Sequence, residues 1–155
     1  MAALNVYEES VQPEWIDYNG HMSEAFYVLV FGHASDALYE QVGIGTVYRE
    51  RHRLSVYTVE AHIRYLREVS LRSRLRVATS VVDHDDKRIH FCHEMRVADT
   101  LVATEELIGV CVDTGARCVA AIPDDVLANL AQIVLAEPPA YVGRSVHLDR
   151  RAASR

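Results

Sequence analysis

The spacing of apolar residues changes period once along this chain, and that change separates its predicted elements. From Leu4 to Val11 a modest alternation predicts a short strand. The segment Trp15–Met22, WIDYNGHM, interrupts it with Asp, Asn and Gly, the residues that make turns, and is predicted to be a loop. Ser23 then offers an N-cap and Glu24 suits a first helical turn. The apolar run Ala25, Phe26, Val28, Leu29, Val30 and Phe31 continues through Ala34, Ala37, Leu38 and Val42, and Gly43 is a natural stop. This helix is apolar nearly all round in its first three turns, so it is predicted to be wrapped by other structure.

Beyond the helix the period becomes two. From Val56 to Leu66, Tyr57, Val59, Ala61, Ile63 and Tyr65 share one predicted face, and Thr58, Glu60, His62 and Arg64 the other. The second face reads as solvated or as an interface. Leu75, Val77, Thr79 and Val81 alternate with Arg74, Arg76 and Ser80. Asp83–Lys87, DHDDK, has the composition of a hairpin turn, and Ile89, Phe91, His93, Met95 and Val97 form the next inward face. A further strand spans Leu101 to Val112, Asp113–Ala116 turns the chain, and a short strand follows near Arg117–Ile122. Pro123, Asp124 and Asp125 start a closing helix, Val126–Leu135, which Pro138 and Pro139 end. Consecutive strands usually pair antiparallel. The predicted class is therefore α+β, an antiparallel sheet of about five strands wrapped around a long central helix. Residues 1–140 form one domain, and 141–155 are expected to be a flexible tail.

Composition narrows the function. Half the 155 residues are hydrophobic, enough for a core, and the formal net charge is −6. An acidic balance argues against nucleic acid as a partner, since phosphate-backbone binders carry excess Lys and Arg. Cys92, Cys111 and Cys118 are odd in number and lack metal-site spacing, so free thiols are expected. No secretory signal or membrane-length apolar run is present, which predicts a cytoplasmic protein without a membrane partner. The strand period puts His90 and His93 on opposite faces, so no metal site is expected from them.

The chemistry concentrates in Asp17-Tyr18-Asn19-Gly20-His21-Met22, just ahead of the helix. Free N–H groups at a helix start suit a carbonyl oxygen as it becomes an oxyanion. A carboxylate immediately upstream can act on the same carbonyl, as a base on water or as a nucleophile. Spacing alone favours Asp17 and Asn19 as simple turn formers, and equally allows His21 to be a loop residue bonded to a backbone carbonyl.

The motif D-x-x-G-H before a helix, with Tyr27 six residues after His21, resembles the 4-hydroxybenzoyl-CoA thioesterase group of hotdog-fold proteins. The stretches WIDYNGHMSEAFYVLVFGHASDAL and YTVEAHIRYLREV are similar, more narrowly, to betainyl-CoA thioesterases, which act in carnitine breakdown. The likeness covers most of residues 10–125. It implies a hotdog fold, with a sheet wrapped around the helix, and an acyl-CoA thioesterase that needs no cofactor. Asp17 becomes the catalytic carboxylate and a backbone N–H near Glu24 the carbonyl's donor, with Asn19 and His21 as supporting catalytic residues. Asp36 or Glu40 would be the carboxylate in other hotdog thioesterases. Ser23 and Glu24 stand where many relatives carry Asn, so side-chain roles there do not transfer. Trp15 and Tyr18 are the expected contacts of a trimethylammonium group. Arg64 and Arg67, ahead of Arg72, Arg74 and Arg88, are expected to meet the CoA phosphates. The resemblance also implies a homodimer or homotetramer. A thioesterase for another short acyl-CoA, or a non-catalytic acyl-CoA-binding module, are the alternative readings.

Overall fold

The alternating segments build one curled antiparallel sheet, which the computed structural model describes within residues 5–148. Strand β1 (Asn5–Ser10) is followed by a 3-10 turn (Pro13–Trp15), helix α1 (Glu24–Val42) and a short helix α2 (Thr46–His52). Strands β2 (Leu54–Tyr65), β3 (Arg74–His84), β4 (Arg88–Val97), β5 (Thr100–Asp113) and β6 (Cys118–Val119) precede helix α3 (Asp124–Ala131). The strand order is β1-β3-β4-β5-β2, with β6 joined to β5, and these five strand pairings are antiparallel. Both edges belong to strands that flank α1 in sequence. The helix therefore carries the chain across the concave face from one edge to the other.

Two apolar clusters hold α1 in the sheet. Tyr27, Val30, Phe31 and Ala34 pack with Leu75, Val77, Met95 and Ala103. One turn further on, Leu38, Tyr39 and Val42 pack with Ile89, Phe91, Leu107 and, from α3, Val126 and Leu130. The predicted inward faces of β3 and β4 are the buried ones, from Leu75 to Val81 and from Ile89 to Met95. Gly43 ends α1 at φ 92°, a conformation that costs glycine little.

Four expectations need correction. First, the wrapping is incomplete: Ala25, Val28, Leu29, Gly32 and Asp36 form an exposed stripe along α1. Second, β2 does not carry one continuous apolar face. Its register skips Val59, Thr58 facing Gly109 and Glu60 facing Ile108. An extra residue in one strand reverses the alternation, so Tyr57 shares the outer face of Val110 while Ala61, Ile63 and Tyr65 point inward. Third, the closing helix stops at Ala131, short of the expected Leu135. The chain joins β3 instead: Val134 bridges Val81, whose carbonyl accepts the Leu135 N–H at 2.9 Å. Fourth, α2 was not expected. Its start is held by Glu40, whose carboxylate accepts the Thr46 N–H at 2.7 Å and is lowered from its usual pKa by that bond. Of the expected tail, Gly143 donates its N–H to the Glu106 carboxylate at 2.8 Å, and residues 149–155 lie outside the described residues.

Candidate active site

The loop ahead of α1 is a small closed hairpin. Ile16 and Met22 form an isolated antiparallel bridge, the Asp17 N–H donates to the His21 carbonyl at 3.0 Å, and the Gly20 N–H donates to the Asp17 carbonyl at 3.0 Å. Gly20 makes the turn at φ 80°, where a side chain would be strained. Asp17 Oδ1 accepts the Asn19 N–H at 2.8 Å, while Oδ2 has no protein partner among the described residues. Asn19 thus reaches Asp17 through its backbone. His21 Nδ1 lies 3.4 Å from Glu68 Oε2, and the Met22 N–H donates to the Val69 carbonyl at 2.8 Å, so the hairpin is tied to the segment that leaves β2.

Ser23 occupies the N-cap position with extended backbone, yet its hydroxyl caps nothing. The Phe26 N–H turns back to the Ser23 carbonyl at 3.1 Å, and the N–H groups of Glu24 and Ala25 have no acceptor among the described residues. Uncapped donors at the positive end of a 19-residue helix dipole form a place for developing negative charge. Beside them opens a cavity of about 370 Å³ lined by Met22, Glu24, Tyr27, Tyr65, Arg67 and Glu68. The Tyr27 and Tyr65 rings meet edge to face, centroids 5.2 Å apart, and the Tyr27 hydroxyl donates to the Arg67 carbonyl at 3.1 Å. Burial, then the neighbouring Tyr65 and Glu68, raises the pKa of Tyr27; burial, then Glu24 and Glu105, raises that of Tyr65.

The remaining expected residues are dispersed. Trp15 is buried and stacks on Phe26 at 5.4 Å, whereas Tyr18 is 97% exposed. Arg67 lines the cavity; Arg64 faces Thr104 on the opposite side of the sheet from Tyr65. Arg74 and Arg88 are engaged with Glu8 and Asp85. Glu40 is committed to α2 and Asp36 is exposed on the open stripe. Among the described residues no group of three His, Cys, Asp or Glu is disposed to hold a metal ion, and no helix is long and apolar enough to cross a membrane.

The sequence reading did not single out Tyr65 or Glu68, nor a buried polar layer between the two apolar clusters. The Ser35 hydroxyl donates to the Phe31 carbonyl at 3.0 Å, so its oxygen accepts from His93 Nε2 at 2.9 Å. Nδ1 then accepts from the Thr79 hydroxyl at 2.9 Å. This assignment satisfies a neutral imidazole completely, in keeping with burial, which lowers the His93 pKa to about 3. Glu105 Oε2 lies 3.8 Å from His93 Nε2, and burial raises its pKa to about 7. The readable signal for Glu105 was its alternation with Ala103 and Leu107 on an inward face.

Residues 11–130 match the family model of the thioesterase-like superfamily. The chain belongs to this superfamily. A betainyl-CoA thioesterase of Pseudomonas aeruginosa is 44% identical over 92 residues, which cover 59% of this chain and 58% of that protein. The chain thus spans less than two thirds of that relative's length. Among solved structures, a candidate thioesterase from Pseudomonas putida KT2440 is 34% identical with a TM-score of 0.81, covering 96% of this chain and 98% of that one. A hypothetical protein from Staphylococcus aureus, solved in complex with CoA, is 26% identical with a TM-score of 0.87, covering 95% and 96%. The sheet and α1 of this thioesterase-superfamily chain are a hotdog fold, α+β in class, as the resemblance implied.

Proposed function

We propose that this chain hydrolyses small acyl-CoA thioesters, with betainyl-CoA as the leading substrate. The observation that carries the reading is the pair of uncapped N–H groups at Glu24 and Ala25, next to the hairpin that presents Asp17. A thioester carbonyl bound at those donors is polarised, and its oxyanion is stabilised as the tetrahedral intermediate forms. Asp17 supplies the attack, through an activated water or by its own oxygen as a mixed anhydride. Carboxylate, donors and water complete the reaction without a cofactor. His21 holds the hairpin through Glu68, and Arg67 is placed to meet CoA. The 44% identical betainyl-CoA thioesterase and the CoA-bound structural relative support the substrate class. Two copies joined along the outer edge of β2, where Tyr57 and Val59 are exposed, would also cover the open stripe of α1. A homodimer is therefore part of the proposal.

Thiol release from betainyl-, acetyl- and benzoyl-CoA tests it. Turnover fastest with betainyl-CoA is the expected result. Preference for another member of the panel would reassign the acyl group, and turnover of none would leave a binding module. A second prediction follows from Ser23. Ser23→Asp puts a negative charge at the helix N-terminus, expected to stabilise the fold by about 0.5 kcal/mol while lowering kcat several-fold, because the carboxylate competes with the oxyanion for the same donors. Thermal melts and steady-state kinetics on one preparation check both signs. A gain in stability without loss of rate would remove these amides from the mechanism.

A further inference from the structure

We propose that Tyr27, Tyr65, Glu24 and Glu68 form a subsite for a quaternary ammonium group on the acyl chain. The inference rests on the hydrolase reading above and assigns its selectivity to residues. In a betainyl thioester the nitrogen is separated from the carbonyl carbon by one methylene, a distance of about 2.5 Å from standard bond lengths and angles. With the carbonyl at the first amides of α1, the cation has to lie in the same cavity. Neither Trp15, buried against Phe26, nor Tyr18 lines it.

The cavity offers what such a cation needs. Edge-to-face tyrosines leave a corner bounded by two ring faces, and a ring face attracts a cation within about 6 Å. Trimethylammonium donates no hydrogen bond, so rings and diffuse negative charge are the chemistry that recognises it. Two carboxylates, Glu24 and Glu68, line the cavity against one guanidinium, Arg67. Glu68 acts on the Tyr27 hydroxyl and Glu24 on that of Tyr65, so carboxylate charge lies beside the ring pair. Glu24 belongs to both halves of the site, through its N–H towards the oxyanion and its side chain towards the cation.

The test compares kcat/KM for betainyl-CoA with that for 3,3-dimethylbutyryl-CoA, in which carbon replaces the charged nitrogen at the same shape. Wild-type protein is expected to favour the cation. Tyr65→Leu and Glu24→Gln are each expected to reduce that preference by roughly tenfold, and Tyr65→Phe, which keeps the ring, to retain it. Circular dichroism melts verify that each variant is folded, which the half-exposed position of Tyr65 favours. An unchanged preference in both Tyr65→Leu and Glu24→Gln would overturn the subsite while leaving betainyl-CoA hydrolysis intact. A wild-type enzyme equally fast on both thioesters would overturn it as well. Failure of wild type on every thioester is a different result and removes the hydrolase reading along with the subsite.

Discussion

Asp17→Asn is expected to lower kcat for acyl-CoA hydrolysis by roughly 10²–10⁴-fold, the range a positioned acid–base group supplies. The substitution is nearly isosteric. Its amide oxygen can still accept the Asn19 N–H that Oδ1 now accepts at 2.8 Å, so the hairpin should close as before. What disappears is the negative oxygen that has no protein partner among the described residues. The effect should therefore fall on kcat with little change in KM or in melting temperature, since the CoA contacts and the α1 donors are untouched. Thiol-release kinetics beside a thermal melt make the comparison. A variant with full activity would show that the carboxylate takes no part in the chemistry, and attention would move to Asp36 on the open stripe of the helix.

The second large effect concerns stability. Glu105 is 5% exposed and its pKa is raised to about 7 by burial, above the value of an unfolded chain. A raised carboxyl pKa means that the folded state binds the extra proton. Stability is then lost as pH rises from about 4.5 to about 7, and the loss is complete above that window. The buried, neutral His93 acts in the opposite sense: with a folded pKa of about 3, its contribution is lost as pH falls below about 6.5. The titratable groups near Glu105 are His93 on β4 and, at longer range, Tyr39 on α1 and Tyr65 on β2, none of them cationic near neutrality. Glu105→Gln removes one of the two opposing slopes. At pH 8 the variant is expected to be more stable than wild type by about 3 kcal/mol, and at pH 5 the two should nearly coincide. Between pH 4.5 and 6.5 the variant's stability should climb with pH, where wild type is nearly flat. Urea denaturation at fixed protein concentration measures this directly, and a difference independent of pH would contradict it.

Most of the fold could be read from the chain because its determinants are local. Ser23 and Gly43 bracket α1, the period-two runs give β3 to β5, and Asp113 starts its turn by accepting the Gly115 and Ala116 N–H groups. The bulge at Val59 carries no Gly or Pro to announce it, and without it the face of β2 is assigned wrongly. The end of α3 was hidden for a different reason, since the residues after it bridge to Val81, more than 50 positions earlier in the chain. In the site, the hairpin of Asp17 and Gly20 was legible as a motif. The partners of that hairpin were not. Tyr65 and Glu68 reach Tyr27 and His21 only because β2 returns beside α1, a long-range contact with no signature in spacing.

The polar layer of Ser35, His93 and Thr79 has one more consequence, for the longitudinal position of the helix. Apolar packing alone is permissive about sliding, because one turn of leucine and valine resembles the next. A displacement of one turn, about 5.4 Å, would carry Ser35 away from the imidazole and strand buried donors and acceptors, at about 1–3 kcal/mol for each. The imidazole thus works as an index mark. It fixes how far α1 protrudes towards the hairpin, and with it the spacing between the Asp17 carboxylate and the first amides of the helix.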